Sequence, residues 1–257
     1  ELIVAAPKVV GEGIGNTVTL SADTASIAKG AFSGNAALFE LTATGVTSVG
    51  DYAFSDCTNL KKVTLGKLKT IGAYAFANTA ITSTPDLSEA ESIGKYAFAL
   101  TKIAKVTLPG GVFADDYAFA LNTELKEVEI GDGAVIGEAA FYSRLTDNSF
   151  EGTGKFNSDS YQTYEYEVKN ETGATAKTYT YYSYNIKSGN VSALTSLTVG
   201  KNVTIGNYAF AGNAKLAAIT WNGNGEGVII GDYAFYNAAS LVTADLSKIE
   251  TIGEGAF

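Results

Sequence analysis

The sequence predicts a solenoid: one elongated repeat domain in which short β-strands stack coil upon coil in parallel, interrupted once by an inserted β-hairpin. Three observations carry this. A hexapeptide resembling I-G-x-Y-A-F recurs nine times at a period of about 22 residues. A second pattern, L-x-x-V-x-L, lies between its copies. One interval between copies is much too long and is rich in tyrosine.

The elements follow in chain order. Residues 1–26 precede the first copy and contain strand-like stretches such as Thr17-Val18-Thr19-Leu20, so they are expected to form an N-terminal cap over the first coil. Residues 27–142 hold IAKGAF (27–32), VGDYAF (49–54), IGAYAF (71–76), IGKYAF (93–98), ADDYAF (114–119) and IGEAAF (136–141). Residues 192–257 hold IGNYAF (205–210), IGDYAF (230–235) and IGEGAF (252–257). The anchoring phenylalanines are 32, 54, 76, 98, 119, 141, 210, 235 and 257, separated by 22, 22, 22, 21, 22, 69, 25 and 22 residues.

The second pattern begins about six residues after most anchors. Its copies include Leu60, Val63, Leu65; Leu125, Val128, Ile130; Leu194, Leu197, Val199; Leu216, Ile219, Trp221; and Leu241, Ala244, Leu246. Alternation within it marks a short strand with one inward face. A Gly-containing turn follows, and the hexapeptide returns along the opposite side, its Phe filling the interior. One coil cannot bury its apolar face alone, so stability comes from stacking. Pro85 stands where an inward Val belongs, which predicts a bulge or local break. Cys57 sits three residues after its anchor, a slot that Asn35, Thr79, Thr101, Asn122 and Asn213 fill elsewhere. A small side chain able to bond neighbouring backbone is expected there, rather than a reactive thiol.

The interval from Phe141 to Phe210 is 69 residues, one period of 22 plus 47. The extra segment, placed at 143–191, reads as two alternating strands around a polar turn near Asn170–Thr175. It holds seven of the 15 tyrosines: Tyr161, Tyr164, Tyr166, Tyr179, Tyr181, Tyr182 and Tyr184. These are the candidate ligand-binding residues, because insertions project from a rigid scaffold and tyrosine joins contact area to a polar tip. Against this stands strand propensity and the packing of a hairpin folded back on the solenoid.

The combined pattern, as in DYAFSDCTNLKKVTLGKLKTIGAYAF (51–76), resembles the BspA-like, or treponemal-type, leucine-rich repeat. The period lies within the leucine-rich-repeat range of roughly 20–29 residues. The resemblance implies a right-handed leucine-rich-repeat solenoid with a parallel sheet on one face and turns and short helical segments on the other. It further implies a secreted or surface-exposed bacterial protein associated with adhesion to host or microbial ligands, and no repeat-encoded catalytic residues.

Composition narrows the functions. With 27 acidic against 18 basic residues and a net charge of −9, the chain repels nucleic acid and anionic lipid. Arg144 is the sole arginine. Absence of histidine removes His-based triads, His metal ligands and imidazole bases. One cysteine allows no intrachain disulfide or thiolate cage. No apolar run nears the ~18 residues that span a bilayer. Leu2–Ala6 is too short for a signal-peptide core, and with no Met in the chain a leader is expected to have been removed upstream. The last copy ends at Phe257 without a polar C-terminal cap, so the parent protein is expected to continue or to have been trimmed. Gly11-Glu12-Gly13-Ile14-Gly15 lacks the strand, spacing and helix of a nucleotide fingerprint. Asp115–Asp116 and Gly131-Asp132-Gly133 are too short for a calcium loop. The exposed Thr42, Thr64, Thr107, Thr198 and Thr220 row is interrupted by Asp86, Glu129 and Asp245, and strand propensity accounts for it. No metal or cofactor is expected. The leading function is a non-enzymatic extracellular or cell-surface binding module for protein or glycan ligands. The alternative is a structural spacer in a larger surface protein. A paired-carboxylate glycosidase is the least implausible enzyme, and the sequence offers no cleft for it.

Overall fold

The computed structural model describes residues 16–143, 163–169, 175–182, 192–242 and 245–257. Its larger unit is a β-solenoid of stacked coils with two parallel ladders. The L-x-x-V-x-L segments build the first. Asn16–Thr19, Leu38–Ala43 and Lys62–Leu65 form one sheet, while Lys105–Leu108, Glu127–Ile130, Ser196–Val199 and Ala218–Trp221 form another. The ladder breaks at the coil of Pro85. That residue is buried in the inward slot but has no N–H for the neighbouring strand.

The hexapeptides build the second ladder, an uninterrupted parallel sheet of nine two-residue strands running from Ser26–Ile27 to Thr251–Ile252. Each hexapeptide's first residue is the second residue of one of these strands, from Ile27 through Ala114 to Ile252. The short helical segments expected on this side reduce to one 3-10 turn, Asn222–Gly225, among the described residues.

The nine anchors form a single ring stack. Centroids of successive rings, from Phe32–Phe54 to Phe235–Phe257, lie 5.0–5.4 Å apart with nearly parallel planes. Each of the first eight donates its backbone N–H to the Ala carbonyl of the next hexapeptide at 2.7–2.8 Å. The coil pitch that suits this hydrogen bond therefore also suits offset aromatic stacking. Leu and Val of the facing strands close the core: Leu60, Ile103, Val106, Val128, Leu197, Val199 and Leu216 are fully or almost fully buried.

Backbone geometry explains the rest of the hexapeptide. Its second residue is Gly in seven copies because a Cβ there would meet the preceding coil's backbone: at Gly72 it would lie 2.4 Å from the Asp51 nitrogen. Its fourth residue is left-handed in all nine copies, with φ between 53° and 65° at Gly30, Tyr52, Tyr74, Tyr96, Tyr117, Ala139, Tyr208, Tyr233 and Gly255. That residue is the third of an i→i+3 turn, closed by Ala53 N–H to the Gly50 carbonyl where it is Tyr52, and turns its own N–H to the next coil, as Tyr52 does to the Ala73 carbonyl at 2.8 Å.

The stack continues across the insertion. Glu127–Ile130 pairs with Ser196–Val199, Val135–Ile136 pairs with Thr204–Ile205, and Phe141 stacks on Phe210 at 5.0 Å. Residues 145–190 form a separate compact unit, whose described part is an antiparallel ribbon of Thr163–Lys169 and Thr175–Tyr182.

Candidate functional site

Backbone register in the ribbon sets Tyr164 opposite Tyr181 and Tyr166 opposite Tyr179. Directly paired positions share a face, as do alternate ones along a strand, so four tyrosine positions gather on one face. Tyr182 pairs with Thr163 on the other face, beside Glu165–Thr180 and Glu167–Thr178. A register shift lies between Val168 and Lys169. Tyr161, Tyr184 and the turn at 170–174 lie outside the described residues, as does Arg144.

Most of the polar side chains considered on the solenoid serve the stack. The slot three residues after the anchor forms a buried spine at Cys57, Thr79, Thr101, Asn122 and Asn213, while Asn35 is half-buried and Ala238 fills the slot after Phe235. Asn122 Nδ2 donates to the Phe98 and Phe119 carbonyls at 2.9 and 3.0 Å, while its Oδ1 accepts from the Thr101 backbone N–H and hydroxyl. Asn213 repeats this with Phe141, Phe210 and the Ser192 hydroxyl, which joins the coil before the insertion to the coil after it. Cys57 lies in the same spine and donates its thiol to the Phe32 carbonyl at 3.0 Å. Burial pushes that thiol's pKa up to about 12, so it is not a nucleophile at neutral pH.

The aspartates are also occupied. Asp51, Asp116 and Asp232 each accept the backbone N–H of the third hexapeptide residue in the next coil, at 2.8–2.9 Å. Asp115 accepts the Asp116 N–H, where the preceding coil has Lys95 and so no acceptor. Asp132 accepts the Lys201 N–H. Along the long-strand ladder, Lys62 pairs with Glu40, and Lys105 with both Glu127 and Glu129. Within the threonine row, Thr107 donates to Glu129 of the neighbouring strand. Hydrogen bonds that Lys105 donates to Glu129 and Glu127 raise the Lys105 pKa, and the bond from Lys105 lowers that of Glu129.

The outer side of the short-strand sheet carries two further rows. Rings of Tyr52, Tyr74, Tyr96 and Tyr117 stack at 4.8–4.9 Å, and those of Tyr208 and Tyr233 at 5.2 Å. Burial pushes Tyr117 up to about 12. Burial, then Glu138 and Asp232, raises Tyr208; Glu254 is the main cause of the upward shift at Tyr233. The hexapeptide does not specify the residue before it. That residue is Ser26, Ser48, Thr70 and Ser92 in the first four coils, then Phe113, Val135, Thr204, Ile229 and Thr251. Phe113, Val135 and Ile229 are 45%, 39% and 38% exposed.

Among the described residues, no helix is long and apolar enough to cross a membrane. The profile of the BspA type leucine rich repeat region matches the chain in six copies over residues 25–147 and 177–257. Two solved structures are similar. A leucine-rich repeat protein from Bacteroides ovatus ATCC 8483 shares 18% identity, with 94% of this chain and 72% of that one covered and a TM-score of 0.42. A leucine rich cell surface protein from Faecalibacterium prausnitzii A2-165 shares 18% identity, covering 94% and 88%, with a TM-score of 0.38. Comparison with the curated proteins finds no match. The repeat profile covers most of the chain, including all nine stacked phenylalanines: the chain belongs to the BspA-type leucine-rich-repeat family.

Proposed function

We propose that the chain is a non-enzymatic binding module of a secreted or surface-exposed bacterial protein, recognising a protein or glycan outside the cell through its tyrosine-rich insertion. The observation that supports this most is the ribbon register, which collects Tyr164, Tyr166, Tyr179 and Tyr181 positions on one face of an element inserted into an unbroken stack. An aromatic face of that kind supplies interface area at low conformational cost. The domain division is part of the same proposal: a cap over 1–26, repeats over 27–142 and 192–257, and the contact element over 143–191.

The test presents the whole chain and a variant lacking 144–190 to a panel of extracellular-matrix proteins and a glycan array. The expected result is binding by the whole chain that falls at least tenfold in the deletion variant, with thermal unfolding of the solenoid retained. Binding of equal strength by both would remove the insertion from the role. Binding by neither would leave the chain a structural spacer.

A further inference from the structure

Along the short-strand sheet, one outward slot changes character halfway through the molecule. In the first four coils it holds Ser26, Ser48, Thr70 and Ser92, and Ser48 and Thr70 hydrogen bond to each other at 2.7 Å. From the fifth coil it holds Phe113, Val135, Thr204, Ile229 and Thr251, paired in that order, and the stretch from Phe113 to Ile229 contains its three exposed apolar residues. The slot itself is unchanged, with the same two-residue parallel strand and an inward neighbour buried behind it, so packing of the fold does not require an apolar residue. Three steps of about 4.8 Å give a row roughly 14 Å long.

A second row runs beside it. The third hexapeptide residue, three positions further along the chain in the turn that follows each strand, is Lys29, Asp51, Ala73 and Lys95 in the first coils. Lys29 lies 3.7 Å from Asp51, and Lys95 lies 3.5 Å from Asp116. Beyond Asp116 the row reads Glu138, Asn207, Asp232 and Glu254. Among the described residues, Glu138, Asp232 and Glu254 have no cationic partner within 4 Å. One oxygen of Asp232 accepts the Glu254 backbone N–H and one of Glu254 the Tyr233 hydroxyl, which leaves the other oxygen of each and the charge of all three unpaired. Their field also falls on the Tyr208 and Tyr233 rings between them. The first half of this face is thus polar and charge-balanced, and the second half carries exposed apolar side chains in three of its five slots, with Thr204 and Thr251 in the others, beside carboxylates that have no cationic partner.

We propose that the outer face of the short-strand sheet from Phe113 to Glu254 docks an extended basic polypeptide segment. Apolar side chains of the segment would lie on Phe113, Val135 and Ile229, and its Lys or Arg side chains would reach Glu138, Asp232 and Glu254. Charge complementarity selects this occupant: an acidic polypeptide or an anionic glycan would be repelled by the carboxylate row, and a neutral apolar segment would leave it unused. This surface is distinct from the insertion and does not rest on the role proposed for it.

The test titrates the whole chain with an acetylated octapeptide of alternating Lys and Val, with octalysine as comparator, followed by fluorescence anisotropy. The alternating peptide is expected to bind more tightly than octalysine. The substitution Phe113→Ser/Val135→Ser/Ile229→Ser, which installs the residue type of the first coils, should weaken it at least tenfold. Glu138→Gln/Asp232→Asn/Glu254→Gln should do the same and flatten the salt dependence. Glu40→Gln/Glu127→Gln on the other ladder should change nothing, and neither should deletion of 144–190. The single variant Ile229→Ser, at an exposed site, should lose at least twofold and serves if the triple variant fails to fold. Equal affinity for octalysine, or unchanged binding by both triple variants, or by Ile229→Ser where the apolar triple variant does not fold, would overturn the proposal.

Discussion

Tyrosine is a poor occupant of the left-handed region, where a non-glycine residue costs about 1–2 kcal/mol. Yet six of the nine fourth positions are Tyr, at φ of 55–57°. The compensation is local. The same backbone turn directs an N–H to the next coil, and the ring gains a stacked partner at 4.8–5.2 Å. None of this was legible in the sequence, because Tyr carries no turn signal. The glycine beside it was legible, and its cause is steric. Gly72→Ala should therefore destabilise the chain by at least about 1–3 kcal/mol through collision with rigid backbone. Gly111→Ala meets no atom within 4 Å but has φ +70°, so it should cost only about 1 kcal/mol through strain. Urea titration of both variants checks the order. Cys57 offers a pH test. Its thiol pKa is raised from 9.0 to about 12, so the neutral form stabilises the fold below pH 9 and that contribution is lost as pH rises from 9 towards 12. Wild type should lose more stability across that window than Cys57→Ser. In the native state at pH 8 the thiol should stay unlabelled by Ellman's reagent until the chain unfolds, and labelling within seconds would contradict its burial.

At the scale of elements, the strand pattern and the anchor spacing were legible because each repeats with a fixed period and a fixed inward face. Pro85 was legible as well, since its missing N–H has one consequence wherever it occurs: the long-strand ladder divides there into sheets of three and four strands. Amides of residues 82–88, in the broken part of the long-strand ladder, should then exchange with deuterium faster than those of Lys105–Leu108 and Glu127–Ile130 in the intact ladder beyond it. Equal protection would mean that the break carries no local weakness. The short-strand sheet was not legible as a sheet, because two-residue strands are too short for alternation to register. For the same reason the row Phe113, Val135, Ile229 could not be told from ordinary strand-forming residues until its exposure was seen. The hairpin could be read from alternation of Tyr with Glu and Thr, and the pairing of Tyr164 with Tyr181 follows that alternation.

For the whole molecule, the family assignment and the stacked core rest on the same residues. The nine phenylalanines are separated by intervals that include one of 69 residues, yet their rings form one column without a gap. A column of this kind makes stability a sum of coil and neighbour terms, so loss of a central ring propagates to both sides. Phe76→Ala should cost about 3–5 kcal/mol, measured by denaturant unfolding. The most direct measurement of the continuous stack is a double-mutant cycle on Phe141→Leu and Phe210→Leu, the pair that flanks the insertion. A ring contact at 5.0 Å predicts a coupling of about 0.5–1.5 kcal/mol between the two substitutions. Additivity within about 0.3 kcal/mol would place the two rings in separate surroundings and contradict a single solenoid running through the insertion.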